Sequence, residues 1–147
     1  MNPRGQLDKL QEAVTRRLAS ASELAVAEIH AESANFLKEQ ISKSSGVKIS
    51  VAIPMPISAS KYAAGPVFSK VAVKVVVERE HSIAMHSPSL ASLAESVTKI
   101  LHKWVAPLES CYGKLVLDAQ NPWQRVQLKS LNSDAISVNF TVQSVLS

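Results

Sequence analysis

The stretch "VKVVVEREHSIAMHSPSLASLAESVTKIL", residues 73–101, carries two hydrophobic periods. Val73, Val75 and Val77 recur at every second position, the repeat of a strand with one buried face. Leu90, Leu93, Ala94, Val97, Ile100, Leu101 and, just beyond the stretch, Trp104 recur at steps of three and four, the repeat of an amphipathic helix. Between the two runs, "EREHSIAMHSPS" (78–89) hands the chain from strand to helix. Ser87 stands where an N-cap belongs, and Pro88 where a first helical residue belongs, since its missing N–H costs nothing there. The segment is a corner, and the fold is a sheet with helices packed on it.

The same two periods organise the rest of the chain. Val67 and Val71 extend the valine strand backwards, with Lys70, Lys74 and Glu78 on its other face. Val47, Ile49, Val51 and Ile53 alternate with Lys48, Ser50 and Ala52. Near the end, Ile136, Val138, Phe140 and Val142 alternate with Ser137, Asn139, Thr141 and Gln143 as a half-buried strand. Shorter strands are expected at 114–118 and from Val126 to Leu128, around a turn at 121–124. Residues 54–66, "PMPISASKYAAGP", hold three prolines and read as a long excursion. Upstream, Leu7, Leu10, Val14, Leu18 and Ala21 share one helical face. Beyond it the pattern fits equally well one bent helix or two in succession, the second capped by Ser20 with Glu23 as its capping-box partner. Either way the apolar face runs through Leu24, Ile29, Phe36, Leu37 and Ile41 to an end at Lys43 and Gly46.

The expected fold is one α+β domain over residues 1–147. A helical N-terminal region (1–46) precedes a sheet with its central helix (47–147). The sheet is mainly antiparallel, of about four or five strands.

Composition narrows the function. The 147 residues are 46% hydrophobic and 19% charged, which suits a folded domain with a core. No run approaches the length needed to span a membrane, and the first residues lack the apolar core of a secretion signal. The single cysteine, Cys111, forms no internal disulfide, so a cytoplasmic setting is expected. The net charge of +4 sits in residues 47–147, with ten basic and six acidic side chains. These lysines are scattered singly, so a nucleic-acid partner is not expected.

Chemistry finds little purchase. His81 and His86 are five apart in a connection, without the helical spacing or second ligand pair of a metal site. His102 is expected to meet free carbonyls at a helix end. Cys111 has no base nearby, and Glu78 and Glu80 read as solvated charges at a strand end. With four glycines in the chain, no glycine-rich phosphate loop is present. No enzyme activity, cofactor or metal is therefore expected. Met55, Ile57, Tyr62 and Phe68, with Lys61 among them, stand out, the four being more apolar than a solvent loop needs. They are the candidate subunit or tube interface.

The order of elements resembles the tail terminator, or tail completion, proteins of long-tailed bacteriophages and prophages. The resemblance lies in an N-terminal helix, a strand, a long loop and the strand "VAVKVVVERE". The helix "SPSLASLAESVTKIL" and closing strands ending "ISVNFTVQSVL" complete it. It implies a non-enzymatic virion protein, assembled in the bacterial host cytoplasm. Such a protein forms a ring, commonly hexameric, on the end of the tail tube and offers a surface to the head connector. The partners so implied are further copies of the chain, the tail tube protein and the head–tail connector protein, with no membrane. Two other classes remain open: a small basic α+β nucleic-acid-binding module and a small enzyme or ligand-binding domain.

Overall fold

A computed structural model describes residues 5–32, 46–59, 68–84, 86–107, 112–128 and 132–143. The chain runs α1 (Gln6–Ala19), a 3-10 turn (Ser22–Leu24), β1 (Glu28–Ala31), β2 (Val47–Val51) and β3 (Met55–Ala59). It continues through β4 (Phe68–Glu80), α2 (Leu90–Leu101), β5 (Val116–Leu117), β6 (Trp123–Val126) and β7 (Ser133–Gln143). The expected α+β class and mainly antiparallel sheet hold, with seven strands among the described residues.

β4 and β7 are the axis of this sheet, paired antiparallel from Lys70↔Gln143 to Glu80↔Ser133. Each is long enough to carry two shorter strands in file on its outer side. β3 and β2 share the flank of β4, while β5 and β6 share the flank of β7. β1 adds to β2 in the one parallel pairing among the described residues.

The alternation of the sequence sets the core. Val71, Val73, Val75 and Val77 are fully buried, opposite Val142, Phe140, Val138 and Ile136. Leu93, Ala94, Val97 and Leu101 of α2 pack onto this surface, and α1 adds Leu10, Val14 and Leu18 beside α2, β1 and β2. Each such leucine or valine contributes about 1.5–3 kcal/mol by leaving water. Neither helix is long and apolar enough to cross a membrane.

The N-terminal region departs from the expected run of helix. Ser20 ends α1 instead of capping a second helix. Its N–H donates to Arg16 O and its hydroxyl to Arg17 O, a local back-bond that competes with continuing the turn. Residues 28–31 are a strand, because β2 supplies a parallel partner register from Glu28↔Lys48 to Ala31↔Val51. The part of the expected helix at 33–45 lies outside the described residues.

Three further boundaries shift. The cap of α2 is Ser89, whose side chain accepts the Ser92 N–H at 3.2 Å, two residues beyond the expected Ser87. Arg79 is the reason: its guanidinium takes the carbonyls of Ala84 and Pro88, tying the chain down until Ser89. The turn expected at 121–124 sits slightly earlier, built by Asp118 accepting the N–H groups of Gln120 and Asn121. β6 then starts at Trp123 and ends at Val126, so Leu128 lies beyond it. Finally, β7 is buried on both faces. Ser137 and Asn139, expected to meet solvent, are enclosed, with the Asn139 amide donating to Asn121 O and Gln124 Oε1.

Candidate interaction surface

Two regions singled out in the sequence can now be placed: the corner at 78–89 and the edge near 53–68.

The corner is a hydrogen-bonded clasp. Glu80 accepts the Ser82 hydroxyl and the N–H groups of Ser82 and Ile83, and the Ser82 bond leads in holding its carboxyl below the usual range. His81 receives the Arg79 guanidinium at Nδ1 (2.8 Å), which places its own proton on Nε2, against Asp134 Oδ2 (2.8 Å). That bond, more than the charge of Arg125 nearby, depresses the Asp134 carboxyl. Gly46 closes the clasp from the other side. Its φ of +70° favours glycine, and a Cβ there would stand 2.9 Å from Glu80 O and Ala84 N. His86 is exposed in the connection, and Met85 lies outside the described residues. Among the described residues, no group of three or more His, Cys, Asp or Glu is arranged to hold a metal ion.

Glu78 differs from its neighbours. It lies on the sheet face away from the helices, in a cross-strand row with Lys48 and Glu28. Burial pushes its carboxyl up, partly offset by Lys48, which is itself only 4% exposed. This row is a charge ladder with a buried lysine between two half-buried glutamates, so Glu78 is not the solvated carboxylate expected of it.

The two flanks of the β4–β7 pair end differently. Outside β5 the chain covers its own edge. Lys103 N–H donates to Leu115 O, and Leu115 N–H to Trp104 O. The Leu117 N–H donates to His102 Nδ1 at 3.1 Å, so His102 accepts from a strand instead of meeting free helix carbonyls.

Outside β4 the covering strand is β3, and among the described residues β3 pairs with β4 alone. All five of its residues are exposed, Met55 at 62% and Ile57 at 52%, with Ile53 at 48% just before it. The segment expected as a loop is thus partly an edge strand. Pro56 and two register breaks, at Pro56/Ser58 and Ser58/Ala59, interrupt its ladder. Those are devices that keep an edge from pairing indiscriminately.

Of the five candidate interface residues, Met55 and Ile57 come together on this edge. Phe68 is half-buried and packed against the core, and its carbonyl accepts the Tyr112 hydroxyl. Lys61 and Tyr62 lie outside the described residues, as does Cys111. Sequence reasoning missed the apolar surface at Val105 and Val116, which are 49% and 44% exposed, because both sit in short segments without a clear period.

No protein-family model and no curated protein matches the chain. Solved structures do. A chain in the virion of a native gene transfer agent particle is similar at a TM-score of 0.66 and 13% identity, over 96% of this chain and 98% of that one. A second solved chain, whose name describes no function, is similar at 0.58 and 14% identity, over 97% of this chain and 96% of its own. At these identities the likeness is one of fold, and it runs nearly end to end in both: this chain has the fold of a component of a virion particle.

Proposed function

We propose that this protein is a non-catalytic structural component of a phage-like virion and, within it, a tail terminator. The observation that carries the reading is the likeness in fold to a virion chain, over 96% of this chain and 98% of that one. The order of elements, helix–strands–helix–strands, agrees with that of tail terminators. In this role copies of the chain form a ring, hexameric by analogy. The ring caps the tail tube protein and presents its other side to the head–tail connector.

The exposed apolar edge at Ile53, Met55 and Ile57 is the proposed subunit or tube contact. Because β3 is bulged and carries Pro56, side chains rather than a continued backbone ladder make that contact. Replacing all of 55–65 would remove a strand of the sheet, so point substitution is the sharper test. Met55→Lys with Ile57→Lys leaves the core untouched and places two like charges on the edge. The expected outcome is a protein that melts as the wild type does, yet no longer self-associates in sedimentation and yields tails of uncontrolled length. Normal rings and normal tails from the double variant remove this edge from the mechanism. A wild type that never joins a tail removes the reading itself.

A further inference from the structure

Charge on the outer side of α1 is unevenly placed. Lys9, Glu12, Ala13, Arg16, Arg17 and Ser20 follow helical spacing and form one wall of a groove of about 570 Å3. Trp104 and Pro107, just beyond α2, form the other wall. The lining carries three cations against one carboxylate, and that carboxylate, Glu12, is bonded to Arg16. Arg17 is held ready: its guanidinium lies 5.6 Å from the centroid of the Trp104 ring, and its Nε donates to Ile100 O. The groove on the opposite flank of α1, about 340 Å3, has the reverse balance, with Asp8 and Glu12 against Arg16.

We infer that the groove between α1 and the Trp104–Pro107 segment docks an acidic, partly apolar segment of a partner protein. The walls fix both requirements. Ala13, Pro107 and the uncovered part of the Trp104 ring offer carbon to an apolar side chain, while Lys9, Arg16 and Arg17 offer donors to carboxylates. Stacking on Trp104 pre-orders Arg17, which lowers the entropy lost when a carboxylate binds.

Nucleic acid suits the groove less well. Three cations allow few phosphate contacts, Glu12 stands among them, and the aromatic face is already occupied by Arg17. A second copy of this chain also fits poorly, because it brings the same +4 charge. The inference goes beyond the virion reading and stands on the groove alone.

The experiment measures binding of a labelled, end-capped peptide of alternating glutamate and leucine to the full chain by fluorescence anisotropy. The same peptide with lysine for glutamate, and an oligothymidylate, run beside it. The glutamate peptide is expected to bind saturably and to weaken as salt rises. Lys9→Glu and Arg17→Glu should each weaken it about tenfold, while Asp8→Ala, in the other groove, leaves it unchanged. Lys9 is exposed on the helix surface, so a wild-type melting curve should accompany the loss of binding in Lys9→Glu. No saturable binding overturns the inference. So does binding that ignores both substitutions, or that the lysine peptide matches. Tighter binding of the oligothymidylate, lost through the same two substitutions, replaces the acidic segment with nucleic acid.

Discussion

The two flanks of the β4–β7 pair share one core but end in opposite ways. On the β5 side, residues 102–105 fold over the strand and take its outward N–H groups at Leu115 and Leu117. On the β3 side the last strand exposes every residue and pairs only inward among the described residues. The β5 edge is finished by the chain itself. The other is left with apolar side chains outward and a ladder broken by Pro56 and two bulges. The contrast teaches that exposure at β3 is not a shortage of chain to cover it. An edge can be closed with four residues, as residues 102–105 close that of β5.

The most severe way to break the comparison is to remove what both flanks lean on. Val97 is fully buried under α2 against the sheet. Val97→Asp buries an unpaired charge and should cost at least about 3–5 kcal/mol, abolishing the cooperative melt by circular dichroism. A variant that keeps the wild-type melt would mean the α2 face does not cover this core.

Gly46→Ala acts on one flank only, at the junction of β2 with the clasp. Positive φ and contacts of 2.9 Å with backbone atoms predict a loss of about 2–3 kcal/mol. Chemical denaturation measures it, and an effect under half a kcal/mol would deny that the corner is rigid. His102→Ala opens the finished edge. The Leu117 N–H loses its acceptor, at a cost of about 1–2 kcal/mol. Amide exchange should quicken at Leu117 while the amides of β2 stay as they are. Uniform quickening would instead tie the two flanks into one cooperative unit.

The smallest effect is in pH. Asp134 and Glu80 have depressed carboxyls in the folded state, so their contribution is present above the ordinary carboxylate value and is lost as pH falls from there through the lower folded value. Glu78 is raised and works the other way: stability is lost there as pH climbs from the ordinary value towards the folded one. Melting temperature against pH should therefore rise less steeply for Asp134→Asn than for the wild type, and more steeply for Glu78→Gln. Parallel curves for all three would sink this assignment.

How much of this was legible in the sequence follows from how local each signal is. β4, β7 and α2 each repeat their period often enough to be read without a partner. β1 was not legible: "EIHA" has no periodic signature, and its strand state comes from β2, twenty residues downstream in the paired register. β3 was hidden by its prolines, which demote a strand in the interior of a sheet but are tolerated at its edge. The cap of α2 was misplaced because two serines flank Pro88, and only Arg79, folded back from β4, decides between them. Of the candidate interface residues, Met55 and Ile57 are exposed on β3, yet nothing local tells that Phe68 turns inward. The groove beside α1 was invisible, since it joins Arg17 to a segment more than eighty residues away in the chain.

The position of β7 has a consequence for the timing of folding. β7 is central in the sheet but is the last of the described elements to be synthesised. Until it emerges, β4 lacks the neighbour that runs beside it from Lys70 to Glu80, and α2 lacks much of the surface it covers. Contacts that span so much of the chain fold slowly, and a growing polypeptide cannot make them early. The nascent chain therefore reaches its folded form only after β7 has been synthesised. Until then, a ribosome carrying an unfinished copy displays no ordered edge to which a second copy could attach.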